Sequence, residues 1–97
     1  MARLIYSQQA LSDLDRLTDF LLESNHEVAV ETIGLIIEAT QLLENHPLIG
    51  RPTEEDLREL VISRGSTGYV ALYSYEENDG AVLILAIRHQ RDAGIIV

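Results

Sequence analysis

The chain has 97 residues, 46% of them hydrophobic, and sixteen acidic side chains against seven arginines and no lysine, a net charge of −9. That size and apolar content fit one folded domain, residues 1–97, with a real core and no room for a second. The absence of cysteine excludes disulfide scaffolds, thiolate metal sites and cysteine nucleophiles, and the negative charge disfavours nucleic-acid binding, which depends on cationic side chains releasing counterions.

Arg3-Leu4-Ile5-Tyr6 reads as a short opening strand. Ser7 follows as a helix N-cap. Ala10, Leu11, Leu14, Leu17 and Leu21 then recur at three- and four-residue spacing, which predicts an amphipathic helix from about Ser7 to Glu23, with Asp13, Asp15, Asp19 and Glu23 on its polar side. Ser24 and Glu27 have capping-box spacing and predict the start of a second helix. Its inner stripe reads Ala29, Ile33, Ile36, Ile37, Thr40 and Leu43, widened by Val30 and Leu42. Asn45-His46-Pro47 ends it, because proline disfavours helical geometry in the residue before it. Two helices joined by a short turn form an antiparallel hairpin.

Pro47 to Asp56 reads as a loop with Gly50, Pro52 and the acidic run Glu54-Glu55-Asp56. Leu60-Val61-Ile62 is a short strand, and the turn from Arg64 to Gly68 leads into a strand from Tyr69 to Tyr75. Asp79-Gly80 closes a hairpin loop before a last strand, Ala81–His89. The predicted order is β-α-α-β-β-β, an α+β domain with a helical hairpin packed on a mainly antiparallel sheet. The longest unbroken apolar run, Ala81 to Ile87, falls far short of the ~18 residues of a membrane span. The opening segment lacks the apolar stretch of a signal peptide, so a soluble cytoplasmic protein is expected.

Strict alternation puts Val82, Ile84, Ala86 and Arg88 on one face of the last strand and Leu83, Leu85 and Ile87 on the other. Its neighbour places Tyr69, Ala71, Tyr73 and Tyr75 opposite Val70 and Leu72. Both strands are thus apolar on both faces, and one hairpin covers only one of them. The second face needs either a strongly curled sheet or a partner.

The order and spacing of three segments carry a resemblance: His46-Pro47-Leu48-Ile49-Gly50-Arg51-Pro52 after a helical hairpin, Gly68-Tyr69-Val70-Ala71-Leu72-Tyr73, and Ile84-Leu85-Ala86-Ile87-Arg88-His89-Gln90-Arg91-Asp92. Together with the opening strand, Tyr6-Ser7, Ala10 and Asp13-Leu14, they resemble the ParE/RelE superfamily of toxins from bacterial type II toxin–antitoxin systems, the ending being more similar to the ParE branch. The resemblance implies a toxin neutralised in a hetero-oligomer by a cognate antitoxin. Its ParE branch implies a poison that stabilises the cleaved-DNA complex of DNA gyrase. Its RelE branch implies ribosome-dependent cleavage of mRNA, and a third possibility is an inactive member that only binds its antitoxin. The charge disfavours the ribonuclease, which works in an RNA-rich cavity and calls for cations near the scissile phosphate.

Arg88 and Arg91, at and beyond the end of the last strand, are candidate partner contacts, since arginine is enriched at interface hot spots; an internal ion pair is the other reading. Arg64, Tyr73 and Tyr75 are further candidates for the same surface, tyrosine being equally suited to packing the sheet. Arg51 reads either as a partner contact or as a cap on the C-terminal carbonyls of the second helix, with the structural role favoured. If the chain is a ribonuclease, His89 with Arg64 and Glu59 is its acid–base and phosphate-binding set. His26 and His46 sit at helix ends without metal-ligand spacing, and no metal or cofactor is expected.

Overall fold

A computed structural model describes residues 1–64 and 67–90, the side chains of Arg64 and Thr67 excepted. The elements are β1 (Arg3–Tyr6), α1 (Gln8–Ser24), α2 (His26–Gln41), β2 (Arg51–Pro52), β3 (Arg58–Arg64), β4 (Thr67–Glu76) and β5 (Ala81–His89). The strands form one sheet in the order β1-β5-β4-β3-β2; β1 runs parallel to β5 and the other pairings are antiparallel. The predicted class and order hold, and the expected loop contributes one addition, the two-residue β2 paired to Arg58 and Glu59.

Helix α1 starts as its sequence dictates, with the Ser7 hydroxyl accepting from the Ala10 N–H at 3.0 Å. Helix α2 does not start at the predicted Ser24. Its cap is Asn25, whose side-chain oxygen accepts from the N–H groups of Glu27 and Val28 at 2.9 and 3.2 Å. Asparagine caps as well as serine and stands one residue closer to Glu27.

Both helices lie on one face of the sheet. The core joins Ala10, Ile36 and Leu43 to Ile62, Tyr69, Ala71, Tyr73, Val82, Ile84 and Ile87, with Leu14, Leu17, Leu35 and Ala39 packed against it. The Tyr6 hydroxyl ties β1 to α2 through the buried Thr40 hydroxyl at 2.6 Å. Four of the expected inner residues turn outward, Leu11, Val30, Ile37 and Leu42, while Thr32 takes a buried place. A stripe widened on both sides exceeds what a helix can bury against a sheet.

The largest departure from the predicted pattern is on β5. Leu72 pairs with Ala86 while the next residue, Tyr73, pairs with Ile84, so Leu85 is an extra residue, a β-bulge. Alternation reverses there. Ile87 and His89 turn to the helix side with Val82 and Ile84, opposite Ala71 and Tyr69; Ala86 and Arg88 turn to the other side, opposite Leu72 and Val70. The expected grouping of Arg88 with Val82 and Ile84, and of Ile87 with Leu83, is therefore corrected.

Helix α1 secures this bulge. Strand β1 pairs with β5 only as far as Ile84. Beyond it the Ser7 N–H donates to the Ile84 carbonyl at 2.9 Å and the Ser7 hydroxyl to the Leu85 carbonyl at 3.1 Å. The Asp13 carboxylate accepts the Ile87 N–H at 3.0 Å. Asp13, read from sequence as solvated, is only 7% exposed and also accepts from Gln9 and Arg16. Replacing Asp13 with alanine strands a buried amide and should cost about 2–3 kcal/mol in urea unfolding. Removing the largely exposed Arg16 should cost well under about 1 kcal/mol.

Candidate functional site: the open sheet face and its clamped loop

The sheet face away from the helices follows from the register. It carries Arg3 and Ile5 on β1, Leu83, Ala86 and Arg88 on β5, Val70, Leu72 and Ser74 on β4, Glu59 and Val61 on β3, and Arg51 on β2. Val70 and Ala86 are buried, at 5% and 4% exposure, Leu72 and Leu83 are half-buried, and Ile5 and Val61 are exposed. The face is thus apolar at its centre and bordered by the exposed arginines Arg3, Arg51 and Arg88. At its far end a Cβ on Gly68 would run into the Gln90 side chain.

The predicted residues fall in different places. Arg88 is exposed on the open face. Arg51 is exposed beside Glu59 on the adjacent strand, Nη2 to Oε1 3.4 Å. His89 is half-buried on the helix side, its ring edge-on to Tyr69 with centroids 5.4 Å apart. Glu59 pairs with Leu72 on the opposite face, three positions along β3 from Ile62, which stands across Tyr69 from His89. The sheet itself therefore separates Glu59 from His89. Tyr75 is half-buried against the core, and Tyr73 is fully buried. Arg64 ends β3 opposite Thr67. Arg91, the 65–66 turn and the C-terminal tail lie outside the described residues. Among the described residues no three His, Asp or Glu side chains converge as metal ligands, and no helix is long and apolar enough to cross a membrane.

Beside this face the 47–50 loop is fixed from within. The Tyr73 hydroxyl donates to the Pro47 carbonyl at 2.8 Å and accepts the Gly50 N–H at 2.9 Å. Arg58, which the sequence reading missed, donates to the carbonyls of Leu48 and Gly50 at 3.1 and 2.8 Å. It grips the loop itself and not the C-terminal carbonyls of α2 that Arg51 was expected to cap; Arg51 reaches Glu59 instead. Gly50 is required by contact, since a Cβ there would lie 2.6 Å from the Tyr73 hydroxyl and 2.9 Å from the Glu59 carbonyl oxygen. The clamp leaves Leu48 and Ile49 exposed at the loop's tip.

Burial pushes the Tyr73 hydroxyl above its ordinary value of 10.0, with the Gly50 N–H and the Arg58 guanidinium pulling the other way. The native state thus keeps its proton at pH values where the unfolded tyrosine has lost it. The stability this adds is present up to about pH 10 in excess of what an ionised tyrosine would allow, and declines as pH rises further. Tyr73→Phe leaves a buried carbonyl and amide unpaired and should lower unfolding free energy by about 1–3 kcal/mol. It should also flatten the loss of stability above pH 10, measured by thermal melts across an alkaline series. Gly50→Ala should destabilise through overlap instead, with the alkaline dependence retained.

Comparison with known proteins places this architecture. Residues 4–94 match the family described as ParE toxin of type II toxin–antitoxin system, parDE. A curated relative, Toxin RelE3 of Caulobacter vibrioides, is 36% identical over 81 residues, 84% of this chain and 86% of its own. The chromosomal ParDE toxin–antitoxin system from P. aeruginosa contains a chain with TM-score 0.76 and 25% identity, covering 92% of this chain and 96% of the other. A chain of the toxin–antitoxin complex RelBE2 from Mycobacterium tuberculosis superposes with TM-score 0.64 at 22% identity, over 91% and 96%, which is a likeness of fold. With one family matched along nearly the whole chain, and a relative above one-third identity, the chain belongs to the ParE/RelE superfamily of type II toxin–antitoxin toxins.

Proposed function

We propose that this toxin acts by protein–protein contact, stabilising the cleaved-DNA complex of DNA gyrase, and that a cognate antitoxin neutralises it in a cytoplasmic hetero-oligomer. The observation carrying the choice of mechanism is the separation of Glu59 from His89 by the sheet. General acid–base cleavage of RNA calls for an acid, a base and a phosphate-binding cation converging on one reacting atom, and this pair does not converge. A net charge of −9 without lysine points the same way. The sheet face supports contact with a protein: the exposed Ile5 and Val61 and half-buried Leu72 and Leu83, with arginine at the border, match the make-up of interface hot spots. Arg88 is the residue assigned to the target, with Arg51 beside it and Arg64 and Arg91 as proposed further contacts. Neighbours described as a ParDE system and a RelBE2 toxin–antitoxin complex support the antitoxin as partner.

The name RelE3 on the curated relative favours a second reading, ribosome-dependent mRNA cleavage. The two part in one pair of assays. Purified protein should make gyrase accumulate cleaved DNA, and Arg88→Glu should reduce that accumulation about tenfold or more while leaving the melting temperature unchanged; His89→Ala should leave the poisoning of gyrase intact if it leaves the fold intact. No cleaved complex from folded protein, with His89-dependent cleavage of mRNA on ribosomes, would replace the gyrase reading with the ribonuclease.

A further inference from the structure

Four hydrogen bonds from two side chains, Tyr73 and Arg58, fix the turn from Pro47 to Gly50. The Tyr73 hydroxyl holds its two ends, and the Arg58 guanidinium holds the carbonyls of Leu48 and Gly50. The Ile49 N–H donates to the His46 carbonyl at 3.3 Å. These backbone groups of the tip are turned inward, and what the tip presents outward is two adjacent aliphatic side chains, Leu48 at 58% exposure and Ile49 at 51%. Among the described residues, neither packs against the core. The turn stands at the Arg58 end of β3. Residues 65–66 follow the Arg64 end, and Gln90 stands beside Gly68, which pairs with Ser63, five positions from Arg58 and about 17 Å along the strand.

A single exposed leucine is ordinary on a protein surface. A braced pair is different: side chains fixed before binding lose little freedom on binding, which favours contact with a partner. Position and charge select that partner. Ile49 lies two residues before Arg51 on the edge strand β2, and Arg51 belongs to the sheet face assigned above to the target. The tip therefore continues that surface around the edge of the sheet. From His46 to Thr53 the chain holds no acidic residue, and the cations flanking the tip are Arg51 and Arg58. We propose that Leu48 and Ile49 form a second target contact, a wedge that enters an apolar hollow bordered by acidic groups on gyrase; this rests on the gyrase reading above. A second copy of the chain is the poorer occupant, because it would bring together two molecules of net charge −9.

The test uses the full chain in the gyrase cleavage assay, with calorimetric titration of the antitoxin encoded by the adjacent reading frame alongside it. The double variant Leu48→Ala, Ile49→Ala should melt at the wild-type temperature and bind antitoxin with wild-type affinity, yet poison gyrase about tenfold or more less effectively. Leu48→Glu should weaken poisoning more than Leu48→Arg, since an added acid meets like charge at the border of the hollow. Wild-type poisoning by the folded double variant overturns the wedge and leaves the gyrase reading intact. Wild-type protein that forms no cleaved complex overturns that reading and the wedge with it. Equal effects of Leu48→Glu and Leu48→Arg overturn the acidic border. A melting temperature lowered by several degrees in the double variant means that the chain's own residues cover the pair, and an equal loss of antitoxin affinity gives the pair to the antitoxin; either result overturns the assignment. So does a toxin dimer in sedimentation that the double variant abolishes.

Discussion

The Asp13 carboxylate reaches across 74 positions of sequence to hold the Ile87 amide, and the orientation of the end of β5 rests on that contact. A strand that outlasts its neighbour leaves backbone groups unpaired, and buried unpaired groups are costly. Here β1 stops opposite Ile84, and the start of α1 takes over: Ser7 serves the carbonyls of Ile84 and Leu85, and Asp13 serves the amide of Ile87. The bulge at Leu85 lies within this patch of helix-to-strand bonds. A bulge is one extra residue, and one extra residue exchanges the faces of everything after it. Asp13 and Ser7 thereby stabilise the arrangement in which Arg88 faces outward and His89 inward.

That exchange divides the chemistry of the two sides. On a regular strand His89 would stand on the face away from Val82 and Ile84, the face that also holds Glu59, and Arg88 would point toward the helices. With the bulge, His89 rests edge-on against Tyr69 at the border of the core and Arg88 joins Arg3, Arg51 and Glu59 outside. The fold alone does not choose a mechanism; the side to which one strand end turns bears directly on which groups can converge.

Most of the architecture was legible in the sequence because its signals are local and repeated. The heptad-like spacing of Ala10, Leu14, Leu17 and Leu21, the Ser7 cap, the Asp79-Gly80 turn and the run Ala81–His89 each depend on neighbours in the chain. What escaped is non-local. Nothing in Ala81–Ile87 marks Leu85 as extra, since both faces are apolar and no polar residue stands within that run to betray a slip. Asp13 looks solvated on a helical wheel because its partner is an amide on another element. Arg51 stood out by its place in the family-like segment, yet the loop is gripped by Arg58, whose role shows only when β3 is laid beside β2. The candidate site was therefore legible as a set of residue types and not as an arrangement.

Charge follows the same layering. Residues 8–41, the helical hairpin, hold seven of the sixteen acids and one arginine, whereas three of the seven arginines border the open sheet face. A net charge of −9 thus does not describe either surface. Each layer presents its own potential, and potentials at an interface act chiefly on encounter rate and on the exclusion of wrong partners. The exposed Ile5 and Val61 and the half-buried Leu72 and Leu83 give the sheet side what charge alone does not, apolar surface of the kind whose desolvation contributes affinity at interfaces.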